Sequence, residues 1–221
     1  MTKLRLGEEN LLVKQEIPMQ TRILLMRHGA HTDNVLTPQA NAQAFKVGAW
    51  LKANGFVLDY GITSPIERTM ATAQKVAEGH MVPDLAIMRN DLLGDIAADT
   101  RLPTSAVAVL KTLATEQFGN TSDTSMAQTV LKMPEEFRQV MMRRAQETAE
   151  FLQQLARDHG GQDILVVSHA VGRIEIGINW LFGARAEEEV LRITNVTPTC
   201  GVYNVVFEDG LAVDERLLDV E

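Results

Sequence analysis

Cysteine is nearly absent from this chain of 221 residues, Cys200 being the only one. No internal disulfide can form, which fits a reducing compartment and excludes the disulfide-stapled scaffolds of small secreted domains. Long apolar runs are missing too: none approaches the ~20 residues that a membrane-spanning helix needs. The N-terminus does not read as a signal peptide. Aromatic residues make up 5% of the chain, and 21 Lys+Arg stand against 29 Asp+Glu. A formal net charge of −8 repels nucleic acid and anionic membranes, so neither is expected as a partner. Together these absences lead to the expectation of a cytoplasmic protein. No internal repeat or low-complexity tract is evident. What remains is a hydrophobic content of 45%, ordinary for a globular chain, and a length that suits one domain with a substantial core.

Three short segments carry chemistry. The first is Arg27-His28-Gly29, at the end of the apolar run Ile23-Leu24-Leu25-Met26. The run reads as a buried strand, and the glycine lets the backbone turn sharply behind the histidine. Open α/β sheets bind ligands at such strand ends. Arginine offers a fork of donors suited to phosphate, and imidazole is a competent nucleophile at neutral pH. The second segment runs from Ile62 to Ala73. Ser64 followed by Glu67 has the form of a capping box, with Pro65 suited to the first helical position. A helix beginning there puts Arg68 in its first turn, where the helix N-terminus already attracts anions. The third segment, Asp163 to Ala170, places His169 just past a second apolar strand, as His28 follows the first.

With these residues the chain resembles the phosphoglycerate-mutase-like branch of the histidine phosphatase superfamily. The matching positions are Leu25-Met26-Arg27-His28-Gly29, Asn34, Leu36-Thr37 with Gln43-Ala44, Thr63-Ser64-Pro65 with Arg68, and Val167-Ser168-His169. Order and spacing agree from about residue 22 to the strands after residue 190. The resemblance implies a metal-independent phosphohistidine mechanism without a cofactor: His28 as nucleophile, with Arg27, Arg68 and His169 holding the phosphoryl group. That assignment is physically apt, because phosphoryl transfer depends mostly on positioning and charge stabilisation.

A proton donor is still needed for the leaving oxygen. The family usually supplies a glutamate in a Leu-x-Glu segment, where this chain reads Leu93-Gly94-Asp95. Asp95 is the first candidate and Asp91 the second; a helical stretch would put them on one face. Other departures are His31 where a threonine is usual, and Ala170 where a glycine is common. Alanine can present its N–H provided the turn needs no positive φ. Gly29, Ala170, Asn34 and Asp91 are the expected substrate-binding positions. His28 and His31, with His169, also invite a metal reading, but two adjacent arginines would repel a dication, so no metal is expected. His80 and His159, near glycines at helix ends, read as surface caps.

Along the rest of the chain, helices are expected over about Thr37–Ala53, from the capping box to Glu78, over Ala106–Phe118, from Pro134 to Gly160-Gly161, and over Val171–Phe182. Strands are expected at Arg22–Met26, within Phe56–Thr63, at Leu85–Met88, through Asp163–Val167, and at Val190–Val196, Val202–Phe207 and Leu211–Leu218. Asp209-Gly210 has the form of a hairpin turn. Phe137, Met141, Arg144, Thr148, Phe151 and Leu155 recur at helical spacing, as a core-facing stripe does. Glu187-Glu188-Glu189 reads as a solvated face or loop. Alternating elements give an α/β class, a three-layer α/β/α sandwich around a mostly parallel sheet. A single domain spans residues 1–221, with 1–20 an extension and about 96–133 a segment that shapes the substrate site in the family.

Three functions are compatible with this reading. The favoured one is a phosphatase hydrolysing a phosphomonoester, from a small molecule first and from a phosphoprotein second. A mutase would pass the phosphoryl group back to a bound intermediate. It needs basic residues for a second acidic group, and segment 96–133 offers only Arg101, Lys111 and Lys132. The third reading, prompted by the missing glutamate, is a phospho-ligand binding module. A homodimer is left open, through C-terminal strands if one lies at a sheet edge.

Overall fold

Residues Ile23 to Met26 are completely buried, and their alternation divides the molecule into layers. Ile23 and Leu25 pack into one core with Ile164, Val166, Leu152 and Ile174. Leu24 and Met26 pack into the other with Leu165, Val167, Leu51 and Val76. A strand apolar on both faces is what a sheet covered by helices on both sides requires. The computed structural model describes residues 19–95, 130, 131, 133–192 and 196–220. The expected Ala106–Phe118 helix, most of the 96–133 segment and nearly all of 1–20 lie outside the described residues.

Among the described residues the main sheet has the order β5-β4-β6-β1-β7-β8. Its strands are β1 (Gln20–Arg27), β4 (Tyr60–Thr63), β5 (Ile87–Arg89), β6 (Asp163–Ser168), β7 (Val202–Glu208) and β8 (Leu211–Leu217). Strands β5, β4, β6 and β1 are parallel neighbours, and β7 and β8 add on antiparallel. A small hairpin, β2 (His31–Thr32) with β3 (Val35–Leu36), follows β1. The helices α1 (Pro38–Ala53) and α2 (Glu67–His80) cover one face, and α3 (Glu135–Asp158) and α4 (Ile174–Leu181) the other. A short α5 (Glu187–Val190) follows. The expected three-layer α/β/α architecture is therefore the observed one. No described helix is long and apolar enough to cross a membrane.

Parallel register matters most for the site. Arg22 pairs with Asp163 across β1 and β6, and Arg27 with Ser168. Arg22 also binds the Asp163 carboxylate through Nε and Nη2, and Asp163 accepts the Val57 N–H at 2.8 Å. This forked pair marks the start of both strands. At their other end His28 and His169 emerge side by side.

Several expected elements differ. Thr37 caps α1, its Oγ1 accepting the Ala40 N–H at 3.1 Å, as a threonine before Pro38 should. Ser64 does not cap α2: the N-cap is Ile66 and the helix begins at Glu67. The Ser64 hydroxyl is drawn instead to Thr69 and His169. The helix expected from Val171 starts only at Ile174, after a turn. Of the expected strand Val190–Val196, the described residues 190–192 and 196 lie in no strand. Its start is the end of α5, where Asn179 Nδ2 donates to the Val190 and Arg192 carbonyls at 2.9 and 3.2 Å. A side chain thus takes carbonyls that a neighbouring strand would have needed. The acidic run before it forms α5, Glu187 accepting from Arg138 Nε at 2.5 Å. His80 is not a surface cap either: it is buried, and its Nε2 donates to the Phe56 carbonyl at 2.9 Å. His159 does occupy the C-cap of α3. Asp209 and Gly210 take the two positive φ values, 49° and 78°, expected of the β7–β8 hairpin.

The two helices on one face meet through glycine. A Cβ on Gly48 of α1 would lie 2.0 Å from the Val76 carbonyl oxygen, and one on Gly79 of α2 would lie 1.9 Å from that of Phe45. Helix propensity alone favours Gly48→Ala by up to ~1 kcal/mol. A backbone clash outweighs that, because overpacking costs about 1–3 kcal/mol or more. Gly48→Ala is therefore expected to lower the melting temperature by several degrees in thermal denaturation, and an unchanged or raised value would refute the close-contact account.

Candidate active site

Three parallel strands end together at one edge of the sheet. Beyond β1 comes His28, whose N–H donates to the Ser168 carbonyl at 3.1 Å. Beyond β4 comes Ser64, its N–H bonded to the Val167 carbonyl at 3.1 Å, and beyond β6 comes His169. Imidazoles of His28 and His169 stand edge to face with centroids 5.0 Å apart, both buried. Arg68, one residue into α2, reaches over them.

The Arg68 guanidinium organises the cluster. Its Nε donates to His28 Nε2 at 3.2 Å, and Nη1 to Asn34 Oδ1 at 2.5 Å. Its Nη2 contacts Asp95 Oδ2 and lies 3.3 Å from His169 Nδ1. His28 Nδ1 is 2.8 Å from the Gly29 carbonyl, which can only accept, so Nδ1 carries the proton. The lone pair of His28 is thereby left on Nε2, beside Arg68. Arginine has no acceptor, so His169 likewise meets it through a Nδ1 lone pair. Its Nε2–H then donates to Ser64 Oγ at 3.0 Å, and Ser64 bonds to Thr69 Oγ1 at 2.9 Å. Thr69 completes the chain on the Ile66 carbonyl at 2.6 Å. These bonds fix the tautomers of both rings.

Burial acts on the same rings. It pushes His28 down to about 4, helped by the positive charges of Arg68 and Arg27 and by His31, with the Gly29 bond opposing. His169 is lowered mainly by burial, with the Asp95 carboxylate opposing and His28, Arg68 and Arg144 adding. Both imidazoles are therefore neutral near pH 7. His31 is exposed on β2, its ring 5.3 Å from that of His28. It is lowered by partial burial and then by Arg68.

The structure gathers His28, Arg68, His169, Asp95 and Asn34 into direct contact. Arg27, one residue before His28, points its Nη1 to the Thr197 carbonyl at 2.8 Å. Asn34 is both turn former and site residue: Asp33 and Asn34 hold φ of 51° and 66° in the β2–β3 turn. Gly29 plays a different part from the expected one. Its N–H is taken by Thr72 Oγ1 at 3.0 Å, and its φ lies outside the left-handed region. Glycine is needed there for space, since a Cβ would come within 2.9 Å of the Ala40 Cβ and 3.2 Å of Cys200 Sγ. Asp91 does not join the cluster. It is exposed at the start of a 3-10 turn, Asp91–Leu93, which ends before Asp95, so the two carboxylates share no helical face. Ala170 avoids positive φ because Val171 takes it instead, at 59°. The Gly172 N–H closes that tight turn on the Ala170 carbonyl at 2.6 Å. A β-branched residue in the left-handed region is strained and needs support. No group of three or more His, Cys, Asp or Glu among the described residues is arranged to hold a metal.

The supporting roles of three residues escaped the sequence reading. Arg144 of α3, 1% exposed, donates to the Gly94 and Asp95 carbonyls at 3.1 and 2.9 Å. Arg173, also buried, bonds the Arg144 carbonyl and Thr148 Oγ1, each at 3.3 Å. Glu175 of α4 binds the Val171 N–H and Thr197. The available signal was a charge inside an apolar helical stripe, since such a charge is almost never buried unless paired.

A family model for the histidine phosphatase superfamily (branch 1) matches residues 21–218. The chain belongs to that superfamily. A 2,3-bisphosphoglycerate-dependent phosphoglycerate mutase of Bartonella bacilliformis is 30% identical over 88 residues, 35% of this chain and 43% of that protein. The match thus spans less than half of that relative's length. Among solved structures, Bacillus stearothermophilus YhfR superposes with a TM-score of 0.62 at 19% identity, over 87% of this chain and 94% of that one. A mycobacterial glucosyl-3-phosphoglycerate phosphatase complexed with VO3 gives 0.60 at 16% identity, over 89% and 96%. These two likenesses show the fold. The proteins this chain is similar to thus include one named as a mutase and one named as a phosphatase.

The His28 shift sets a pH dependence of stability. Its ordinary value is 6.5 and its folded value about 4. Above pH 6.5 the ring is neutral in both states. As pH falls through 6.5 towards 4, the unfolded chain takes a proton that folded His28 does not, so stability is lost across that window. Relative to a His28→Asn variant, wild-type melting temperature is expected to fall as pH drops from 6.5 to 4 and to level off below. A difference constant with pH would contradict the neutral buried ring.

Proposed function

We propose that this protein is a metal-independent phosphatase that hydrolyses a phosphomonoester through a phosphohistidine on His28. The observation that carries the reading is the His28 tautomer: Nδ1 bonded to the Gly29 carbonyl, and an unprotonated Nε2 beside Arg68. In the first step Nε2 attacks phosphorus, the bond from phosphorus to the ester oxygen breaks, and the leaving oxygen takes a proton. In the second, water attacks phospho-His28, returns Nε2 with its lone pair and releases phosphate. Arg27 and Arg68 hold the phosphoryl oxygens, joined by His169 once it takes a proton on Nδ1 beside the phosphoryl charge, with Asn34 Nδ2 a further donor. Positioning and charge stabilisation of this kind carry most of the catalysis in phosphoryl transfer.

Asp95 is assigned the proton donor. In the structure its carboxylate accepts from Arg68 and lies 3.6 Å from His169 Nδ1. A phosphoryl group would compete for the Arg68 donor and set negative charge beside the carboxylate, which favours the protonated acid. The substrate is a phosphorylated small molecule, with a phosphoprotein as the second choice. The Bartonella likeness favours a mutase as the alternative, in which phospho-His28 returns its group to a bound intermediate.

Alkaline-quenched intact mass after mixing with p-nitrophenyl phosphate is expected to show one added phosphoryl group, absent in His28→Ala. Released phosphate then marks hydrolysis; a persistent adduct that transfers to phosphoglycerate instead marks a mutase. Neither adduct nor phosphate, on a broad phosphomonoester panel, would overturn the enzyme reading in favour of a binding module. On an alkyl phosphate, whose leaving group needs a proton, Asp95→Asn should slow the first step by roughly 10²–10⁴-fold. Asp91→Ala should leave that rate within about twofold, in keeping with a surface substitution away from the site. Equal effects at the two positions would remove Asp95 from its role.

A further inference from the structure

Glu175 stands where a carboxylate is expensive. It lies in the apolar run Ile174-Glu175-Ile176 of α4, with 6% of its surface exposed. An isolated buried carboxylate is strongly disfavoured unless hydrogen bonds satisfy it. Here both oxygens are used, and on different segments. Oε2 accepts the N–H of Val171, the residue at positive φ two places after His169. Oε1 accepts both the N–H and the hydroxyl of Thr197, each at 2.7 Å. Thr197 is itself 1% exposed, and its carbonyl receives Arg27 Nη1 at 2.8 Å.

We infer that Glu175 is a positioning residue of the phosphoryl site, a single buried carboxylate that ties the turn after His169 to the Thr197 segment that orients Arg27. The inference rests on the phosphatase reading above. Charged hydrogen bonds are roughly twice as strong as neutral ones, which suits a group that must hold a strained turn and an arginine's acceptor together. The arrangement is also specific to a carboxylate. A glutamine keeps the size but has only one acceptor oxygen. Whichever way its amide is turned, an NH2 faces either the Val171 N–H or the Thr197 donors. The positioning role therefore predicts coupling to Arg27, whereas a role in general stability does not.

The test is a double-mutant cycle read through the affinity for orthovanadate, measured by calorimetry, with Glu175→Gln, Arg27→Ala and the pair. Glu175→Gln is expected to weaken orthovanadate binding roughly tenfold in the wild-type background and less than about twofold beside Arg27→Ala, within the usual span of coupling between connected residues. Thr197→Val deletes one of the donors to Oε1 and is expected to give the same pattern at about threefold. It carries the test where Glu175→Gln does not fold. No loss of affinity, or an equal loss in both backgrounds, overturns the inference while leaving the phosphatase reading intact. Wild-type protein that neither binds orthovanadate nor forms phosphohistidine overturns both.

Discussion

Parallel pairing of β1 on β6 is the constraint from which the rest of the site follows. Register in a sheet buried on both faces is strict, because a slip by one residue would exchange the two cores. With Arg22 opposite Asp163, Arg27 must lie opposite Ser168. The histidines that follow are then neighbours, whatever the intervening 140-odd residues do. The pairing of β4 on β6 adds Ser64 and, one short turn later, Arg68. The forked ion pair at the far end of the strands and the imidazoles at the near end are two ends of one alignment.

Charge is concentrated against the trend of the molecule. A chain with formal charge −8 brings Arg27, Arg68, Arg144 and Arg173 to one edge of its sheet. Their roles divide. Arg27 and Arg68 adjoin the imidazoles, whereas Arg144 and Arg173 reach backbone carbonyls, Arg173 also meeting Thr148 and Glu147, and so fix the path of the chain through Gly94 and Asp95. Arginine suits that second task, since its fork is rigid and less heavily hydrated than an ammonium group. The acidic groups nearby are committed: Asp95 to Arg68, Glu147 to Arg173, Glu175 to Val171 and Thr197.

The parts of this arrangement written in local pattern were legible from sequence. Ile23–Met26 and Ile164–Val167 are apolar on every residue, so both central strands and the histidines after them could be placed. Thr37-Pro38 and Asp209-Gly210 obey local turn and cap chemistry, which no tertiary contact overrides. Ser64 misled because a capping serine and a serine bonding a distant histidine look alike until His169 is known to be adjacent. The expected strand misled at Val190–Arg192 for a similar reason, as Asn179 from another element took the carbonyls there. Gly29 was read as letting the backbone turn sharply and proved to be a spacer, a distinction that depends on Ala40 and Cys200. Arg144, Arg173 and Glu175 bind backbone far away in sequence, so their spacing carried no trace of their partners.

Cys200 borders this site without taking part in it, and that has a consequence. Its thiol is buried, packed towards the Cα of Gly29, and burial pushes its pKa up to about 11. Thiolates, not thiols, react with peroxides and alkylating electrophiles. The one cysteine of the chain is therefore held as a thiol at neutral pH, a poor target for the oxidants that silence enzymes dependent on a cysteine nucleophile. Phosphoryl chemistry at His28, as proposed above, would draw nothing from that sulfur.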